Sequence, residues 1–144
     1  MRPNDVDRAA KHEAASQQET AEMNETVSTS SGRALVLAGG LCGAAGVALS
    51  AAAAHRGGAF TGTAASFLLM HAPLFVAVGL HGGGRALRAA CALLLAGLLL
   101  FCGDLLARDF LGGRLFPMSA PIGGTLLIAG WLAIAIAALV GRRI

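Results

Sequence analysis

The sequence has no tyrosine, a single tryptophan (Trp131) and a single lysine (Lys11), and only 13% of its 144 residues are charged. So little polar surface cannot clothe an ordinary soluble core, whereas 56% hydrophobic residues and a mean hydropathy of +0.68 suit a chain whose solvent is lipid. Cysteine is scarce too. Cys42, Cys91 and Cys102 lie inside apolar runs and form neither a C-x-x-C nor a Cys/His spacing, which argues against zinc and against a disulfide framework. They are expected to be small buried hydrophobes, and no metal or cofactor is expected. The chain also lacks H-E-x-x-H, a G-x-S-x-G with a plausible triad, a Walker lysine and a pair of carboxylates, so an enzyme is not expected. The net charge of +3 does not point to nucleic acid, because the arginines sit in short gaps between apolar runs rather than along one helix face.

What is present is a polar N-terminal stretch followed by four apolar runs. Residues 1–33 contain no aromatic side chain and place ten charged residues among Ser, Thr and Gln. Too little apolar surface is available there to offset the entropy of ordering, so a disordered cytoplasmic tail is expected, with transient helix over residues 5–22. Met23 is a possible alternative start. Residues 34–144 are expected to form one transmembrane domain. A spanning helix needs about 20 mainly apolar residues. Four segments approach this: Ala34–Ala54, Ala64–Leu80, Leu87–Ala107 and Ala120–Val140. The first is too long and too far from the N-terminus for a cleavable signal. Pro73 in the second is tolerable where neighbouring helices satisfy the freed carbonyl. The fold class expected is therefore all-α integral membrane, a four-helix transmembrane bundle.

Orientation follows from the arginines beside the spans. The N-terminal flank, the second gap and the C-terminus hold Arg33, Arg85, Arg88, Arg142 and Arg143, against Arg56, Arg108 and Arg114 in the first and third gaps. Five against three places both termini in the cytoplasm. Helical periodicity indicates how the spans pack. Gly39, Gly43, Gly46, Ser50 and Ala53 share one face of the first span, Gly123 and Gly130 with Ala133 and Ala137 share one of the fourth, and Ala90, Gly97 and Asp104 fall at seven-residue steps in the third. Lipid offers helices no hydrophobic reason to associate, so seams of small residues such as Gly39, Gly43, Gly46, Gly123, Gly124 and Gly130 are expected to bring them together. Gly39 and Gly43 also match G-x-x-x-G, which leaves homo-oligomerisation open.

Three stretches carry a resemblance. They are Ala54-His55-Arg56-Gly57, the run Thr63-Ala64-Ala65-Ser66-Phe67-Leu68-Leu69-Met70-His71-Ala72, and Phe101-Cys102-Gly103-Asp104 with Pro121-Ile122-Gly123-Gly124 and Gly130-Trp131. Together they resemble the bacterial inner-membrane family known as domain of unknown function 423, which includes YgdD-like proteins. The patterns there are G-A-H-G, T-A-x-x-Y-Q-x-x-H-A, F-S-G-S, P-x-G-G and G-W. The resemblance runs from about Ala34 to Val140 and implies a four-span bundle but no activity. Phe67-Leu68 replaces Tyr-Gln, and Cys102 and Asp104 replace serines.

With both termini inside, His71 and Asp104 fall in the outer half of the bundle, and His55, Arg56 and Arg108 lie at its outer boundary. His71, Asp104, His55 and Arg108 are thus the candidate intramembrane polar cluster. An intramembrane carboxylate costs several kcal/mol unless it is paired or hydrated. Contact between His71 and Asp104 would relieve that cost and would suit a proton relay, whereas an Asp104–Arg108 pair at i+4 would be structural. A proline-freed carbonyl is a further partner for His71, and Trp131 reads as a packing or interface anchor. The role expected is a non-catalytic membrane packing or assembly component, its partners the bilayer and a larger membrane complex or homo-oligomer. The alternative is a small transporter or proton-coupled channel using His71 and Asp104.

Overall fold

The computed structural model describes residues 3–140; Met1, Arg2, and residues 141–144 with Arg142 and Arg143 lie outside them. Four α-helices follow in order: α1 Pro3–Arg56, α2 Ala59–His81, α3 Arg85–Phe110 and α4 Ser119–Val140. Each contains a stretch long and apolar enough to cross a membrane. The breaks fall where backbone chemistry permits no helix. Gly57, Gly58 and Gly82 have φ of 70°, 123° and 70°, conformations that a side chain disfavours. At the end of α3, the Leu111 N–H bonds Ala107 O and Gly112 turns left-handed at φ 71°. The helices overrun the apolar runs by a few residues, because hydropathy marks the lipid-compatible part while glycine and proline mark the stops.

Residues 3–33 are drawn as helix continuous with the first span. Nothing between Asn4 and Ser31 is glycine or proline, and Pro3 with Asp5 and Asp7 suits a helix start. Between Lys11 and Ser30 the side chains whose burial is described are all exposed.

Two glycine seams build the bundle. Along α1, Gly32, Gly39 and Gly46 recur every seven residues against Gly79, Ala72 and Ala65 of the antiparallel α2. A Cβ on Gly39 would lie 2.8 Å from Ala72 O, and one on Gly79 would lie 2.7 Å from Gly32 O, so the backbones touch. The α3–α4 seam works alike. A Cβ on Gly123 would meet Phe101 N at 2.6 Å, one on Gly97 would meet Leu127 N at 2.8 Å, and one on Gly130 would meet Leu94 Cγ at 2.6 Å.

Helix α2 packs on α1 and α3, and α3 on α2 and α4, so the middle pair carries the core. Phe75, Cys91, Leu94 and Leu98 are fully buried there, and the Cys102 thiol donates to Ala64 O at 3.6 Å. The flanking helices expose large apolar side chains: Leu37, Leu41 and Val47 on α1, Ile128, Leu132, Ile136 and Leu139 on α4. Such a surface is a liability in water and ordinary in lipid.

Candidate functional site

Polar side chains are few enough in this bundle that each must find its partner inside it. Asp104 is wholly buried on α3 and draws donors from three directions. One turn on, Arg108 gives Oδ2 two bonds, from Nε at 2.9 Å and Nη2 at 2.6 Å. From the chain that links α3 to α4, the Leu115 N–H reaches Oδ1 at 3.1 Å, and the Ser119 hydroxyl, buried at the start of α4, donates to the same oxygen. The Arg108 guanidinium lies 5.3 Å from the centroid of Phe60 on α2, so a cation–π contact joins a third helix to the knot.

Beside it sits a second clasp that sequence reasoning missed. Asp109 Oδ2 accepts from the Thr61 backbone N–H and hydroxyl, each at 2.7 Å, and so caps the first turn of α2 from the last turn of α3. Gly58 makes room, since a Cβ there would lie 2.9 Å from that oxygen. The signal was an absence. Helix α2 opens on Gly57-Gly58-Ala59 with no capping side chain of its own, which leaves its first N–H groups to be met by another element.

His71 does not join this knot. Its Nδ1 bonds Phe67 O at 2.7 Å, and a carbonyl only accepts, so Nδ1 carries the hydrogen. The Trp131 indole N–H then donates to Nε2 at 3.2 Å. Both ring nitrogens are thereby used in the neutral form of the ring. Phe67 stacks on the imidazole at 6.1 Å between centroids and Trp131 lies tilted at 5.7 Å. The carbonyl is Phe67 O, four residues back, and not Leu69 O, the one freed by Pro73.

The expected polar cluster is thus corrected. Asp104 and Arg108 come together; His71 turns to Phe67 and Trp131; His55 is exposed at the end of α1. The physical reason lies in the small face that Asp104 shares with Ala90 and Gly97. That face is the α3–α4 seam, so it aims the carboxylate at Ser119 and away from α2. Among the packing glycines, Gly39, Gly46, Gly123 and Gly130 make the close approaches. Gly43 makes ordinary contact with Ala72 at 3.7 Å, and Gly124 meets nothing within 4 Å. Gly124 instead opens a cleft of about 390 Å³ lined by Phe67, His71, Phe101 and Trp131. Gly39 faces α2, so the G-x-x-x-G pattern serves the chain's own fold.

Fold and polar interior together define a small helical membrane protein with four helices each long and apolar enough to cross a bilayer, whose buried polar groups among the described residues all have partners. Residues 40–124, more than half of the chain, match the family described as Protein of unknown function (DUF423). The chain belongs to that family. No solved structure matches it.

Proposed function

We propose that this protein is a multi-pass protein of the bacterial inner membrane, with both termini cytoplasmic, that acts as a non-catalytic packing or assembly component of a larger membrane complex. The observation that carries this reading is the closure of its polar interior. Asp104 holds Arg108, Leu115 and Ser119, His71 holds Phe67 and Trp131, and no buried side-chain nitrogen or oxygen among the described residues lacks a partner. A proton relay or ion path needs groups that exchange partners with water or substrate during the cycle. Groups fixed in this way rigidify a scaffold instead.

The test is flux. Purified protein reconstituted in vesicles with an internal pH dye should pass protons no faster than protein-free vesicles under an imposed potential. Flux above that baseline, abolished by His71→Ala or Asp104→Asn, would establish the transporter or channel reading in its place.

A further inference from the structure

The cleft that Gly124 opens, about 390 Å³ in volume, gathers aromatic rings from three helices. Phe101 comes from α3, Phe67 and His71 from α2, and Trp131 from α4. The chain has six phenylalanines and one tryptophan, so three of its seven large aromatic side chains converge here. The rings form a continuous arc. Phe101 lies 4.8 Å from Phe67 between centroids, Phe67 lies 6.1 Å from His71, and His71 lies 5.7 Å from Trp131. His71 falls near the middle of α2, and Met70 and Ile128 at the mouth are exposed, so the cleft opens sideways into the hydrocarbon of the bilayer rather than to water.

One polar pair faces this cleft. Trp131 N–H meets His71 Nε2 at 3.2 Å, at the long end for a hydrogen bond, across a gap where α2 and α4 do not pack as neighbouring helices do. Trp131 is 45% exposed and His71 only 2%, so the indole has room to swing towards lipid while Nδ1 holds the imidazole to Phe67 O.

We propose that this cleft binds a lipid-soluble quinol, its ring lying against Phe67, Phe101 and Trp131 and one hydroxyl seated between Trp131 Nε1 and His71 Nε2. The pair offers a donor and an acceptor side by side. A hydroxyl answers both, accepting from the indole and donating to the imidazole, so one long bond is exchanged for two and neither nitrogen is left unpaired. A quinone carbonyl only accepts, so it would take the indole and orphan Nε2. A saturated acyl chain would fill the volume, but it has no face to stack on the rings and no group for the pair. A water-soluble ligand has no route to this depth. Occupancy keeps both groups partnered, so the site goes beyond the assembly role without opening the polar interior on which that role rests. It needs only that the helices cross a bilayer.

The full chain in mild detergent under argon tests this, titrated with tetramethylhydroquinone, the corresponding quinone and the dimethyl ether of the quinol. Binding is read from saturable quenching of Trp131, the only tryptophan, with the quenching of a free tryptophan derivative in the same detergent as baseline. The quinol should bind about tenfold more tightly than either the quinone or the ether. Gly124→Leu sends a side chain into the cleft from a position with nothing within 4 Å, so it should fold and lose binding. Gly40→Leu, equally unobstructed but on α1, should bind as the wild type does. His71→Phe keeps a ring and removes the acceptor, so it should erase the preference for quinol over quinone. No saturable quenching, equal binding of the three compounds, binding retained in Gly124→Leu, the same loss in Gly40→Leu, or a preference surviving in His71→Phe would each overturn the proposal. Should His71→Phe fail to fold, the three-compound comparison and Gly124→Leu decide alone.

Discussion

A carboxylate in a membrane helix persists only where its neighbours replace its water, and Asp104 shows how many neighbours that takes. Arg108 could be read from the sequence as its i+4 partner. Leu115 and Ser119 could not, since their arrival depends on the path of a loop that no periodicity describes. As an exposed helix-end pair, Asp104 and Arg108 would contribute only about 0.3–0.5 kcal/mol. Buried and shared with Leu115 and Ser119, the carboxylate matters more, because its loss orphans a guanidinium and an N–H, while the Ser119 hydroxyl keeps Phe116 O as an acceptor. Asp104→Ala is expected to cost about 3–5 kcal/mol. Chemical unfolding in detergent measures this, and a loss below about 1 kcal/mol would show the knot to be hydrated. The position of His71 was legible and its partner was not. Counting residues along a helix gives height in the bundle but not the direction a side chain faces, so His71 and Asp104 looked like neighbours. A double-mutant cycle separates the alternatives: His71→Ala with Trp131→Phe should couple by about 0.5–1.5 kcal/mol, whereas His71→Ala with Asp104→Asn should be additive within about 0.5 kcal/mol. Coupling in the second pair and none in the first would reverse the assignment.

Helices were the most legible level, because an uninterrupted apolar run of some twenty residues has few other fates. Seams were legible in part. The glycine face of α1 could be seen, but its spacing by threes and fours concealed which members carry the contact. The touching set is Gly32, Gly39 and Gly46, a strict repeat of seven matched by Ala65, Ala72 and Gly79 on α2. Recognising it needed both helices in register, and a single helix cannot supply that. Adjacent glycines supply the test. Gly39→Ala drives a Cβ to within 2.8 Å of Ala72 O, which is backbone and cannot swing aside. It should destabilise the protein by about 1–3 kcal/mol. Gly40→Ala meets nothing within 4 Å and should be neutral or stabilising by up to about 1 kcal/mol through helix propensity. Thermal unfolding of the two variants in one detergent gives the comparison, and equal midpoints would mean that α1 and α2 do not pack through this seam.

At the scale of the whole molecule the two ends differ in kind. One end carries the Asp104 knot, the Asp109 cap on α2 and the long 111–118 connection. The other has the short glycine turn between α2 and α3, with Arg33, Arg85 and Arg88 around it. Counting arginines beside the spans favours the second end as cytoplasmic by five to three, Arg142 and Arg143 included. Reporter fusions after Arg143 and within Arg85–Arg88 should therefore read cytoplasmic, and one at Gly112 should read external. The argument also fixes what a variant should do. Asp104→Asn breaks the charge pair and leaves the count at five against three, so the protein should keep its orientation. Adding two arginines beside Gly112 in that same variant makes the ends five and five, and the fusion after Arg143 should then report on both sides of the membrane. An orientation that stayed single would mean that something other than arginine placement sets it, and a wild-type fusion at Gly112 reading cytoplasmic would invert the topology proposed here.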